Sequence, residues 1–175
     1  MKSIATIVLA TTILGLPTLA IAGEGWTGFY LGAHVGPTDA EVTFVGSTES
    51  DSSTAYGLQA GYNHSLSNNW VIGGELSYGT AKHSIGGDPP WDSDSIRLKF
   101  KTGYDLGTTL VYGILGYVNI DDGLDSEDGT TFGIGINYKA TDTIILGGEI
   151  LRDSVNFFGS DLDVTSLLFS VAYQF

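Results

Sequence analysis

A chain of 175 residues with no cysteine has no disulfide framework, no thiolate metal site and no lipid-attachment cysteine. Its 20 acidic side chains against 7 basic ones give a net charge of −13, which leaves no basic footprint for nucleic acid. With 25 glycines, 42% hydrophobic residues and only 15% charged ones, the composition fits a glycine-rich all-β protein rather than a disordered one.

The chain opens on Met1-Lys2, a short positive start, followed by an apolar or neutral run over 4–19. Ala20-Ile21-Ala22 then has the form of an A-x-A cleavage site. Residues 1–22 read as a secretory signal peptide cut after Ala22. A membrane anchor is the other reading, but the run is short and carries Pro17, and no other stretch reaches the ~20 apolar residues of a spanning helix. The mature chain, 23–175, is expected to be one domain.

Eight segments alternate with period two, the signature of β-strands. In the first, 26–35, Phe29, Leu31, Ala33 and Val35 oppose Tyr30, Gly32 and His34. In the second, 55–64, Tyr56, Leu58, Ala60 and Tyr62 oppose Gly57, Gln59, Gly61 and Asn63. The third, 70–79, sets Trp70, Ile72, Leu76 and Tyr78 against Val71, Gly73, Glu75 and Ser77. The fourth, 95–104, sets Ile96, Leu98, Phe100 and Tyr104 against Arg97, Lys99, Lys101 and Gly103. The fifth, 109–120, is apolar nearly throughout, so its facing stays open. The sixth, 129–139, and seventh, 143–153, alternate again, with Glu149 opposite Leu146 and Ile150 in the seventh. In the last, 162–175, Leu167, Phe169, Val171, Tyr173 and Phe175 share one face. Segments of about ten residues are long enough to cross a bilayer at a tilt.

Connections at 65–69, 105–108 and 140–142 are tight; those at 37–53, 80–94, 121–128 and 154–161 are mostly longer. Short turns at one end and long loops at the other, with an even strand number, place both chain ends on the short-turn side of an outer-membrane barrel. Phe29, Tyr62, Trp70, Tyr104, Tyr138, Tyr173 and Phe175 fall near the short turns, and Tyr56, Tyr78 and Phe132 near the long ones, as two aromatic belts would. The fold expected is all-β: an eight-stranded antiparallel transmembrane β-barrel, closed because lipid leaves no backbone group unpaired.

Several stretches resemble the small opacity-type outer-membrane proteins, OmpA-like and OmpX-like barrels. Trp26-Thr27-Gly28-Phe29-Tyr30-Leu31-Gly32 is similar to that family's opening strand, and Ser95-Ile96-Arg97-Leu98-Lys99 through Gly103-Tyr104 to its fourth. Tyr112-Gly113-Ile114-Leu115-Gly116-Tyr117 resembles the fifth, Gly147-Gly148-Glu149 the seventh, and the aromatic terminus the last. The resemblance implies a bacterial outer-membrane location, with both termini periplasmic and the long loops extracellular. It implies outer-membrane lipids, lipopolysaccharide and the barrel-assembly machinery as partners. Phe169, Val171, Tyr173 and Phe175 take the place of its C-terminal sorting signal.

Glu75, Arg97, Lys99, Lys101 and Glu149 are the charges expected at mid-strand. Facing lipid, each would cost ~2–4 kcal/mol, so they are assigned to the lumen. They form either an ion-pair plug or a charged ion path, and an eight-stranded interior, just wide enough for side chains, favours the plug. Glu75 and Lys99 lie at matching heights on adjacent strands and are expected to pair; Glu149 is expected to accept from Arg97 or Lys101. His34, His64 and His83 are too scattered for a metal or haem site, and no cofactor is expected. His83-Ser84 sits at the end where a lipid-A hydrolase would act, but no acid stands at a telling spacing, so the reading is not an enzyme. The acids of the long loops lack calcium-loop spacing at 121–128; solvation explains them, while divalent bridging to lipopolysaccharide or a basic host surface ligand stays open. Function then reads as a surface-interaction and envelope-integrity protein, with a small porin-like channel and a lipid-A-modifying enzyme as alternatives.

Overall fold

The computed structural model describes residues 25–44, 47–83, 91–121, 126–157 and 160–175. The segment 1–22 and the residues Pro89 and Pro90 lie outside them. The described residues form eight strands in chain order: β1 (Gly28–Phe44), β2 (Ser47–Ser65), β3 (Trp70–His83), β4 (Trp91–Asp105), β5 (Thr109–Asp121), β6 (Ser126–Lys139), β7 (Ile144–Phe157) and β8 (Ser160–Gln174). Each pairs antiparallel with the next, and β1 pairs with β8 to close a barrel. At the seam the Phe175 N–H donates to the Phe29 carbonyl at 2.9 Å, so the ladder holds to the last residue.

Facing follows the alternation. Leu58, Leu98, Leu115 and Ile134 each leave 60% or more of their surface exposed, while Glu75 and Lys99 leave 2% or less. That is a soluble protein turned inside out, and lipid is the solvent that accounts for it. In β5 the structure decides what the uniform apolar sequence left open: Tyr112, Ile114 and Val118 point in, Val111, Leu115 and Tyr117 out. Rings stack around the rim of the short turns, with Phe29 on Tyr62 at 4.7 Å, Trp70 on Tyr104 at 5.9 Å and Tyr173 on Phe175 at 5.0 Å between centroids.

Two expectations need correction. The connections read as long loops are largely strand. β1 and β2 stay paired from Gly28↔Asn63 to Phe44↔Ser47, and β8 follows β1 up to Thr43↔Asp161. Beyond the membrane both faces of a strand can be polar, so hydrophobic period vanishes while backbone pairing, seeded by the ladder below, continues.

The second correction concerns Trp26, read as the start of the first strand. It precedes β1 and is fully buried, turned into the barrel's short-turn mouth. Gly25 (φ 74°) and Gly28 (φ 147°) take backbone conformations that a side chain would resist, and between them the chain bends under the barrel.

Candidate functional site

The lumen holds stacked layers of side chains. At the short-turn end, Trp26 lies over an apolar floor that includes Val71, Leu110 and Ile145. Its indole N–H donates to Asp105 at 3.1 Å and its backbone N–H to Ser65 Oγ at 3.2 Å. Lys139 Nζ lies 5.1 Å from its ring centre and donates to the Gly25 carbonyl. The Gln174 side chain donates to the Thr27 carbonyl at 2.9 Å. Hydrogen bonds from β2, β4, β6 and β8 thus tie this lid across the mouth.

Above it lies a four-charge cluster. Register places Glu75 of β3 directly opposite Lys99 of β4, and their side chains form an ion pair. Lys99 Nζ also reaches Glu149 Oε2 of β7 at 2.6 Å. Lys101 Nζ lies 2.5 Å from Glu75 Oε2 and 3.2 Å from Glu149 Oε1. Each ammonium therefore touches both carboxylates. Lys101 also sits over the rings of Tyr30 and Tyr112, at 5.4 and 4.8 Å from their centres, a cation–π contact on either side. Tyr30 donates to Glu75 Oε2 at 2.7 Å and Tyr112 to Glu149 Oε1 at 2.9 Å.

Room for these rings is written into the register. Tyr30 faces Gly61 on β2, and Tyr112 faces Gly135 on β6. A Cβ at Gly61 or Gly135 would meet the tyrosine ring at 2.5 Å or less, so the glycines are the space the tyrosines fill.

Arg97 belongs to a separate pair. It does not bond Glu149; its Nε and Nη2 bond Asp153 of β7 at 3.0 and 2.6 Å, and Nη1 donates to Ser95 at 2.8 Å. Asp153 is fully buried. It closes the expected segment at 143–153, in phase with Glu149 and Leu151, but was not among the charges expected in the lumen; closure of the barrel sets it against Arg97. The lumen charges described therefore balance, with Arg97, Lys99 and Lys101 against Glu75, Glu149 and Asp153. At the same end His34 is 4% exposed, with neither ring nitrogen bonded to protein, and Thr131 Oγ1 is likewise unpartnered.

Among the described residues no three His, Asp or Glu side chains converge as a metal site. His64 faces outward near a short turn, and the side chain of His83 lies outside the described residues.

The profile of the outer membrane protein beta-barrel domain matches residues 6–175. The chain belongs to this family. Outer-membrane barrels of known structure share its fold. Neisserial surface protein A is similar at 17% identity with a TM-score of 0.61, covering 87% of this chain and 100% of its own. Ail, the attachment invasion locus protein of Yersinia pestis, solved with the heparin analogue sucrose octasulfate, is similar at 14% identity with a TM-score of 0.53, covering 85% and 99%. A comparison with curated proteins gave no significant match. The protein is thus an eight-stranded barrel of the bacterial outer membrane. Its upper rim is acidic and internally tied: Arg152 bonds Asp163 at 2.6 Å and holds that carboxyl below the usual range, and Tyr117 donates to Asp128.

Proposed function

We propose that this barrel is a closed, non-enzymatic surface protein, a stable support for strands that project outside the cell and there meet other surfaces. The observation that carries the reading is the four-charge cluster bridging β3, β4 and β7 above the Trp26 lid. Compensated charges packed against tyrosines, above an apolar floor, support a plug over an ion path. Cross-lumen pairs also tie opposite walls, which suits a role in envelope integrity. In this reading both termini are periplasmic, lipopolysaccharide surrounds the upper rim, and Phe169, Val171, Tyr173 and Phe175 address the barrel to the assembly machinery. The sucrose octasulfate of Ail is a polyanion; the net charge of −13 makes basic partners the better match for this chain.

Conductance in planar bilayers tests the plug. The intact protein should pass no steady current, whereas the Glu75→Ala/Lys99→Ala/Trp26→Ala variant should open a small conductance. Steady current through the intact protein would favour the porin-like reading. A parallel mass analysis of lipid A should show no change.

A further inference from the structure

The outer wall is taller on one side of the barrel than on the other. On β4 the outward residues stay apolar from Ile96 to Leu106, Thr102 excepted, and on β2 from Tyr56 to Leu66, His64 excepted. Both stripes run past the aromatic belt into short turns, where Leu106 remains 62% exposed. On β5, β6 and β7 the outward apolar stripes cover only 111–117, 132–138 and 144–150. Polar groups bound them: Asn119, Asp128 and Arg152 at the long-loop end and the exposed Asp142 at the other. The turn below β6 and β7, Ala140-Thr141-Asp142-Thr143, carries no leucine. β1 is as short, at 29–35, but stands alone between the taller β8 and β2. The ten residue steps from 96 to 106, at ~3.4 Å each and a tilt of ~40°, span roughly 26 Å across the membrane. The six steps from 132 to 138 span roughly 16 Å by the same measure. The apolar band of such a barrel is ~25 Å tall, so β2 and β4 match it and β5–β7 fall short.

We propose that the wall formed by β5, β6 and β7 thins the bilayer beside it, giving the barrel one side at which membrane lipids pack compressed. The occupant of this wall is lipid because the wall is continuous with the rest of the lipid-facing surface, and Leu115 and Ile134 at its middle are among the most exposed side chains of the molecule. Tilting the barrel raises one wall and lowers the other, but it does not lengthen the short one. A bilayer of full height would draw Asp128, Arg152 and Asp142 toward hydrocarbon, which charges resist. Compressing the lipid instead spreads a small cost over each ångström of mismatch.

The natural chain has no cysteine, so single cysteines can carry a bimane label on the intact barrel. Thr130→Cys and Ala140→Cys bracket the short wall on β6 at the same separation as Ile96→Cys and Leu106→Cys bracket the tall one on β4; Ile134→Cys reads the middle of the short wall. All five positions are exposed on the outer face, and heat-modifiable migration checks that each variant is folded. The barrels are placed in nanodiscs of dioleoylphosphatidylcholine, open to aqueous iodide from both faces, or in the same discs doped with nitroxide-labelled lipid. Iodide should quench the labels at Thr130 and Ala140 at least fivefold more strongly than those at Ile96 and Leu106, and nitroxide lipid should quench the label at Ile134. In dimyristoleoylphosphatidylcholine, whose shorter chains suit the short wall, the labels at Ile96 and Leu106 should emerge and the contrast fall below twofold. Equal iodide protection at all four bracketing positions in the longer lipid would show an even bilayer and overturn the proposal. A contrast that persists in the shorter lipid would overturn it by tracing the difference to local shielding. A label at Ile134 protected from both quenchers would overturn it by showing the wall covered by a second copy.

Discussion

Asp153→Asn is the sharpest probe of the lumen, because it keeps the shape of the side chain and removes only its charge. In the folded barrel Asp153 is fully buried and accepts from Arg97 Nε and Nη2. Neutralising it leaves the guanidinium without its counter-charge, bonded to the Ser95 hydroxyl and at most one amide oxygen, two residues along β4 from Lys99. Breaking a buried ion pair from one side typically costs ~3–5 kcal/mol, because the surviving charge stays desolvated. Arg97→Met strands the carboxylate instead and should cost a similar amount. The double variant leaves no charge unpaired, so its loss should fall short of the sum of the single losses by roughly 1–3 kcal/mol. Urea unfolding followed by tryptophan fluorescence, with heat-modifiable gel migration as a second probe, measures all three. Losses additive to within ~0.5 kcal/mol would refute the pairing.

Three further outcomes follow from the same geometry. Phe175→Ser should sharply lower the folded band in the outer membrane, since Phe175 closes the β1–β8 seam and packs on Tyr173; an unchanged band would remove it from assembly. A cysteine at Ser126 should label with an impermeant reagent on intact cells and one at Asn68 should not, while equal labelling would refute the orientation. Trp26→Phe loses mainly the indole bond to Asp105, about 1 kcal/mol, whereas Trp26→Ala also empties the mouth, about 3–5 kcal/mol; equal losses would show that the ring's packing is not what closes the lid.

The barrel itself was legible in the sequence, because a lipid-facing wall leaves the strongest local trace a strand can make: large apolar residues at every second position, flanked by tight turns. The same trace set the height of Glu75 and Lys99, since counting from two short turns fixes register in a hairpin. Where that trace stops, so does the reading. Polar strand extensions beyond the membrane look like loops. Asp153 ends the seventh alternating segment in phase with Glu149, but only closure shows that it meets Arg97 across the lumen. Trp26 alternates like a strand residue, yet it turns under the barrel to fill a mouth formed by residues 40 to 150 positions away. Period and turn are properties of neighbours in the chain; which charge meets which across the lumen depends on closure, and closure brings together strands that no local pattern relates.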